Sequence, residues 1–461
     1  MEKGQHLRLR WNGWGDLDLD GIILVVANVI INSAAWPWRA PDPPLFAPGR
    51  DAARLPASSL EADMSSVGGS SAEAELAELS PWPNPAPAIG RDEREARLAK
   101  AQGLMAGIGA DAMIVGAGAS LRYFAGVGWN ATERVVAMVL PRSGEPVMIC
   151  PRFEEGSLLA SLGVEASLRL WEEHENPYDL TAQVLHELGA ESLAIDPALA
   201  FFMFDGLRTA APGVQTTNAT PVIDGCRMIK SKAELALMAQ AKAMTLEVHR
   251  RAARILREGI TTTEVRRFID QAHRALGADD GSSFCAVQFG EASAYPHGLP
   301  GEQRLQAGDL VLIDTGCRVQ GYNSDITRTY VFGQPTQEMV RIWEVEKRAQ
   351  AAAFAAVKPG VPCEEIDAAA RRVLEAEGFG PDYRLPGLPH RTGHGIGLSI
   401  HEAPYLVRGD RTPLQPGMCF SNEPMIVVPG AFGVRLEDHF HVTEAGAAWF
   451  TDPQPAIDRP V

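Results

Sequence analysis

Cysteine is scarce in this chain and scattered. The six, Cys150, Cys226, Cys285, Cys317, Cys363 and Cys419, form no CxxC pair. That argues against a zinc ribbon and a disulfide framework, and it fits reduced thiols in a cytosol. Positive charge is also short: 42 Lys and Arg against 58 Asp and Glu leave a formal net charge of -16. Phosphate backbones are bound by clustered cations, so nucleic acid is not expected as a partner. An acidic balance favours a solvated surface, or sites that hold cations. No apolar run reaches the about 20 residues that span a bilayer. The nearest candidate, Gly21 to Pro37, follows Asp16, Asp18 and Asp20, where a secretory signal carries positive charge. No stable membrane association is expected, and a cytoplasmic protein is the reading that fits. There is also no short-period repeat of the kind that builds solenoids.

What is present suits a soluble globular protein, with hydrophobic residues at 46% and charged residues at 22%. Single cores stop growing near ~250 to 300 residues, so 461 residues imply two folded units plus extras. Residues 1–90 read as an extension and linker, because Met64 opens a polar Ser/Gly-rich stretch and Pro81 to Ile89 (PWPNPAPAI) favours extended, exposed backbone. A helical pattern over Arg94 to Gly107 is followed by apolar runs at Ala112 to Val115, Val135 to Leu140 and Val147 to Cys150, with a turn at Ser143-Gly144. This predicts an α/β domain over 91–225. A second unit, 226–461, opens with a helix whose capping box is Ser231 and Glu234; another starts at Thr261 with Glu264 and ends at Gly277. Two further helices are predicted over Gln337 to Val357 and Cys363 to Glu377, with Gly-punctuated strands between.

The chemistry is concentrated in the second unit. Asp314 follows the apolar run Leu310 to Ile313, and Asp325 lies beyond a turn expected at Gly321-Tyr322-Asn323; a hairpin would present both carboxylates together. Further on stand His394 in HRTGHGIGLSIHEAP, Glu423 in SNEPMIV and Glu437 in GVRLEDHFHVTEAG. Four carboxylates and one imidazole around one point repel strongly unless divalent cations compensate them. Two dications would balance the charge, held ~3.5 to 4 Å apart by bridging carboxylates as in two-metal hydrolytic sites. Oxygen-rich ligation with one His suits Mn²⁺ best, with Co²⁺ or Zn²⁺ open. Any single acidic residue here would pass as a turn former, and the inference rests on the set.

The phrases DTGCRVQGYNSDITRTYVFG, HRTGHGIGLSIHEAPYL and SNEPMIVVPGAFGVRLEDHFHVTEAG resemble the three metal-site segments of the creatinase and prolidase family, whose catalytic domains have the pita-bread fold. The resemblance runs from about Arg91 to the C-terminus. It implies an α/β (α+β) protein in which a creatinase-like N-terminal domain precedes a pita-bread catalytic domain. It also implies that Asp314, Asp325, His394, Glu423 and Glu437 bind a pair of metals, with Glu423 moving the proton of the attacking water. His297 in SAYPHGLPG and His401, seven residues after His394, would contact substrate and steady the tetrahedral intermediate. Arg435 would support a ligand or the second His, its alternative being an ion pair with Asp438. No Ser or Cys nucleophile is needed for such chemistry.

Family members differ in reaction, so the fold does not fix the substrate. Retention of all five ligand types sets this chain apart from creatinase, and the large N-terminal domain sets it apart from methionine aminopeptidases. The length, the junction from Asp224 to Lys232 and the motif wording most resemble bacterial Xaa-Pro dipeptidases. A free proline carboxylate calls for an Arg fork and a Tyr hydroxyl, for which Arg391 and Tyr405 are the candidates. Aminopeptidase P acting on longer Xaa-Pro peptides, a lyase or amidinohydrolase, and a non-catalytic binding protein are the alternatives. The resemblance also implies a homodimer, in which Trp129 would wall the partner's substrate pocket or simply pack within its own domain.

Overall fold

The structure is a computed structural model and describes residues 67–461. Gly21 to Pro37 and Met64 lie outside the described residues. From Val67 the chain passes through a short helix α1 (Ala72–Ala77), capped by Ser71. The stretch read as an exposed linker is instead docked. Val67, Leu76, Leu79, Trp82 and Ala86 pack on a buried core, the Trp82 amide donates to the Leu276 carbonyl at 2.9 Å, and the Ala86 amide donates to Gln240 at 2.6 Å. Buried Glu75 pairs with Arg251 and Arg254, each at 3.1 Å. The apolar residues here have no helical or strand period, so the pattern that reveals amphipathic elements had nothing to register.

Helix α2 (Arg91–Gly107) leads into a six-stranded mixed sheet with spatial order β4-β3-β2-β1-β5-β6. Its strands are β1 (Ala112–Gly116), β2 (Ala137–Pro141), β3 (Val147–Pro151), β4 (Ser167–Trp171), β5 (Ser192–Ile195) and β6 (Gln215–Asn218). Alternation splits each central strand between two cores. Met113, Val115, Met138 and Leu140 face α2, α3 (Ala119–Ala125), α4 (Glu155–Ser161) and, further along the chain, the helix at Thr220–Arg227. Ile114, Ala137, Val139 and Ile149 face α5 (Pro177–Glu187) and α6 (Phe201–Ala210). Covering both faces explains why the strands read as continuous apolar runs.

The helix at Thr220–Arg227 is α7, and the long α8 (Lys232–Arg254) follows, with both halves of its capping box formed by Ser231 and Glu234. Helix α9 (Thr262–Leu276) is capped in the same way by Thr261 and Glu264. These two cover an antiparallel sheet of order β10-β8-β7, with β7 (Ser282–Phe289), β8 (Leu310–Val319), β9 (Tyr322–Asn323) paired to the end of β8, and β10 (Ile326–Val331). The plan then repeats. Helices α10 (Gln337–Ala356) and α11 (Cys363–Ala376) cover a second sheet of order β12-β11-β13-β16-β17. Its strands are β11 (Gly393–Gly395), β12 (Glu402–Leu406), β13 (Cys419–Asn422), β16 (Asp438–Thr443) and β17 (Gly446–Trp449), and a hairpin of β14 (Met425–Val428) and β15 (Phe432–Arg435) stands beside it. This is the α/β domain followed by a pita-bread domain that the sequence predicts.

Buried polar bonds join the two parts. Tyr322 donates its hydroxyl to Glu234 at 2.8 Å, Arg97 donates to the same hydroxyl at 3.3 Å and to Glu93 at 2.7 Å, and Ser231 donates to Glu93 at 2.7 Å. Glu402, at the start of β12, is held by Arg227 at 2.6 Å and Lys230 at 2.7 Å.

Candidate metal centre

The first carboxylate pair comes from a hairpin, with its turn one residue earlier than expected. Gln320 and Gly321, at φ 51° and 83°, make a two-residue connection, the positive-φ pair that matches strand twist. Tyr322 and Asn323 already pair with Val319 and Arg318. Asp314 pairs with Thr327 in the same register, and continuing that register sets Asp325 opposite Gly316. Residues two apart share a face, so Asp314 and Asp325 emerge on the same side. Gly316 permits the approach: a Cβ there would sit 1.9 Å from the Ser324 carbonyl oxygen.

The second sheet supplies the rest. His394 lies in β11, only 1% exposed, and its Nδ1 faces the Gly395 carbonyl at 3.0 Å. With that nitrogen protonated, Nε2 carries the lone pair, and it lies 3.1 Å from Glu423 Oε1 and 3.7 Å from Asp325 Oδ2. Ser421 ties the strand pair together, accepting from the His394 amide at 2.9 Å and donating to Glu423 at 3.1 Å. Glu437 precedes β16 and accepts from the Thr327 hydroxyl at 2.7 Å. Arg435 donates to Asp314 at 2.5 Å and to Thr327 at 3.1 Å. Its partner is therefore Asp314, and Asp438 pairs instead with Arg328 at 2.7 Å in full burial.

These groups carry the electrostatic signature of a compensated site. Burial, then the charges of Glu437, Asp314 and Glu423, push the Asp325 carboxyl well above its usual range. Glu437 is pushed up by burial and by Glu423 and Asp314. Glu423 goes the other way: burial pushes it up, but when no cation is bound and His394 is a doubly protonated imidazolium, its hydrogen bond and charge bring Glu423 down to about 2. One oxygen each of Asp314, Asp325 and Glu437 is buried with no hydrogen-bond partner. Buried anionic oxygens are costly unless paired, and divalent cations are the partners whose oxygen and imidazole preferences this donor set fits. Three sets have donor atoms all within 4.8 Å of one another: Asp325, His394 and His401; His394, Glu423 and Glu437; and Asp325, Glu437 and His439.

The remaining candidates form an open rim. His401 is exposed and stacks edge-on against His394, with ring centroids 4.1 Å apart. Partial burial, then the charges of His394 and Arg391, bring it down to about 4, and His297 contributes from its exposed loop. The Arg391 guanidinium lies 4.5 Å over the Tyr405 ring and makes no hydrogen bond or ion pair among the described residues. Trp129 is half-buried against its own domain's core. Sequence reasoning missed Thr327, which holds both Glu437 and Arg435, and Asp367, which accepts from the Thr392 amide and hydroxyl at 3.1 and 2.7 Å. It also missed His439, although a strand period of two from Glu437 would have placed it on the same face.

Known proteins similar to this chain are peptidases. Residues 236–444 match metallopeptidase family M24, and residues 97–229 match the creatinase/prolidase N-terminal domain. The probable dipeptidase PepE of Mycobacterium tuberculosis is 38% identical over 354 residues, which are 76% of this chain and 92% of that one. The crystal structure of dipeptidase PepE from Mycobacterium ulcerans superposes with a TM-score of 0.73 at 36% identity, covering 80% of this chain and 98% of that one. A recombinant prolidase from Thermococcus sibiricus gives 0.72 at 32% identity, covering 78% and 96%. Among the described residues no helix is long and apolar enough to cross a membrane.

Proposed function

Because the chain belongs to metallopeptidase family M24, we propose that this metallopeptidase is an Xaa-Pro dipeptidase, hydrolysing the peptide bond before proline with two divalent cations, Mn²⁺ first among them. The observation that carries the reading is the clustering of Asp325, His394, Glu423 and Glu437 in shared donor sets, with Asp314 acting on Asp325, near a guanidinium, Arg391, that acts on His401 and has no anionic partner among the described residues. Solved relatives bear the names prolidase and Xaa-Pro dipeptidase. Asp314, Asp325, His394, Glu423 and Glu437 would hold the cations. When bound, these supply Lewis acidity toward the scissile carbonyl and toward the attacking water.

The chain's own groups do the rest. Glu423, held by the Ser421 hydroxyl, accepts the water's proton and returns it to the leaving proline nitrogen, as a base within hydrogen-bond reach can. Arg435 fixes Asp314, and Thr327 fixes Glu437, which holds the carboxylates in place before substrate arrives. His297 and His401 meet the substrate from the rim. Arg391, with Tyr405 beneath it, receives the free carboxylate of the dipeptide, a pairing suited to a planar guanidinium.

The remaining parts of the reading concern the enzyme as a whole. The enzyme is a homodimer, with Trp129 near the partner. It works in the cytoplasm, where six free cysteines stay reduced. The test is incubation of metal-stripped and Mn²⁺-restored protein with Ala-Pro and with Ala-Pro-Ala. Metal-dependent release of proline from Ala-Pro alone is expected. Cleavage of the tripeptide as well would move the assignment to an aminopeptidase P, and turnover of neither by folded, metallated protein would sink the proline-peptidase reading.

A further inference from the structure

His439 stands outside the five donors that the sequence motifs supply. It is fully buried in β16, and neither ring nitrogen has a hydrogen-bond partner. An imidazole sealed from water with both nitrogens unsatisfied costs stability, and a structure keeps few such groups. Its surroundings give it a use. Strand alternation puts it on the same face as Glu437, and its Nε2 lies 3.8 Å from Glu437 Oε1. That oxygen is itself without a partner, as is Asp325 Oδ1. Donor atoms of Asp325, Glu437 and His439 all lie within 4.8 Å of one another. Three buried residues therefore offer unsatisfied lone pairs toward one small volume.

Resting on the reading of the site as a metal centre, we infer that His439 is a further metal ligand of this chain, an imidazole that joins Asp325 and Glu437. A second buried nitrogen shifts the centre from one imidazole among carboxylates toward a mixed site, softer and better suited to Zn²⁺ or Co²⁺ than five donors with a lone His. His401 is the competing second imidazole, since it lies in a donor set with Asp325 and His394. It differs in being exposed, so it can be removed without opening the core.

The experiment uses full-length, metal-stripped protein labelled with ¹⁵N-histidine and loaded with ¹¹³Cd²⁺. A histidine nitrogen bonded to ¹¹³Cd is split by the one-bond coupling, so the imidazole ligands among the eleven histidines can be counted directly, without activity. Two split histidines that persist in His401→Ala are expected, with one lost in His439→Phe and the other in His394→Ala. A single split histidine in His401→Ala, with cadmium still bound, overturns the role of His439 and leaves the metal centre standing. Failure of the wild-type protein to retain cadmium, Mn²⁺ or Zn²⁺ overturns the reading of the centre itself. Because wild type and His401→Ala decide the count, a folding defect in His439→Phe does not blunt the test.

Discussion

The two sides of the centre are built to different rules. On the inner wall all four carboxylates and His394 are seated on or next to a strand, and all but Asp325 are tied to a neighbour: Asp314 to Arg435, Glu437 to Thr327, Glu423 to Ser421, His394 to Gly395. On the rim, His297 and His401 are exposed, and the Arg391 guanidinium lies over the Tyr405 ring with no hydrogen bond or ion pair among the described residues. Groups that must stand within a fraction of an ångström of a reacting atom gain from rigid elements. Groups that admit, orient and release a peptide gain from loops that give way. The difference teaches that substitutions on the wall should show in turnover and on the rim in substrate preference.

The largest expected effect lies on the wall. Glu423→Gln keeps the shape and removes the proton acceptor, so kcat for Ala-Pro should fall by about 10²- to 10⁴-fold, with an unchanged circular dichroism spectrum. A loss below tenfold in well-metallated protein would mean that another group moves the proton. Next comes the root of the rim. Glu402 begins the strand behind His401 and is gripped by Arg227 and Lys230, so Glu402→Gln leaves two buried cations short of a partner. Breaking one side of a buried pair costs about 3–5 kcal/mol, to be read from urea unfolding. A cost under 1 kcal/mol would show that water reaches those cations and that the rim is not anchored there.

Acid should attack the wall from behind. His249 bonds the Ile326 carbonyl at 2.9 Å, beside Asp325, and burial lowers it from 6.5 to about 3. His273 is lowered by burial from 6.5 to about 4. Between pH 6.5 and 4 the unfolded chain therefore binds protons that the folded chain refuses. Folding stability is full above 6.5 and is lost as pH falls, by up to about 1.4 kcal/mol per pH unit for each histidine. Unfolding midpoints measured from pH 7 to 5 should fall, and His249→Gln should flatten that fall; an equal slope in the variant would show that His249 is not what responds.

How much of this was legible in the sequence follows the same division. Elements with a strong period or a paired cap were readable: α8 and α9 start at the Ser231 and Thr261 boxes, and an apolar run marks β8, which holds Asp314, with strands beside Asp325, Glu423 and Glu437. The turn before Asp325 was misplaced by one residue because Tyr322 and Asn323 look like turn formers, while the two-residue connection is set by twist at Gln320 and Gly321. The segment Val67 to Ile89 was missed because its burial depends on Trp82 and Ala86 finding α8 and α9, a tertiary fact with no local period. His439 was missed for a different reason: motif wording drew attention to Glu437, and only burial reveals that the next residue on that face has no partner.

The finest test of the comparison is at Arg391. If the rim chooses substrates and the wall transforms them, removing the guanidinium should weaken binding of a free proline carboxylate and leave the chemical step alone. A charge-assisted hydrogen bond contributes about 1.5–3 kcal/mol, so Arg391→Ala should raise KM for Ala-Pro roughly tenfold or more, with kcat within about threefold. In a longer peptide the proline carboxyl is an amide, so the inhibition constant of Ala-Pro-Ala as a competitor of Ala-Pro should change little in the same variant. Arg391→Lys should recover part of the loss, since it restores the charge without the fork. Equal effects on short and long peptides would assign Arg391 to packing on Tyr405, and a fall in kcat with unchanged KM would move it from the rim to the wall.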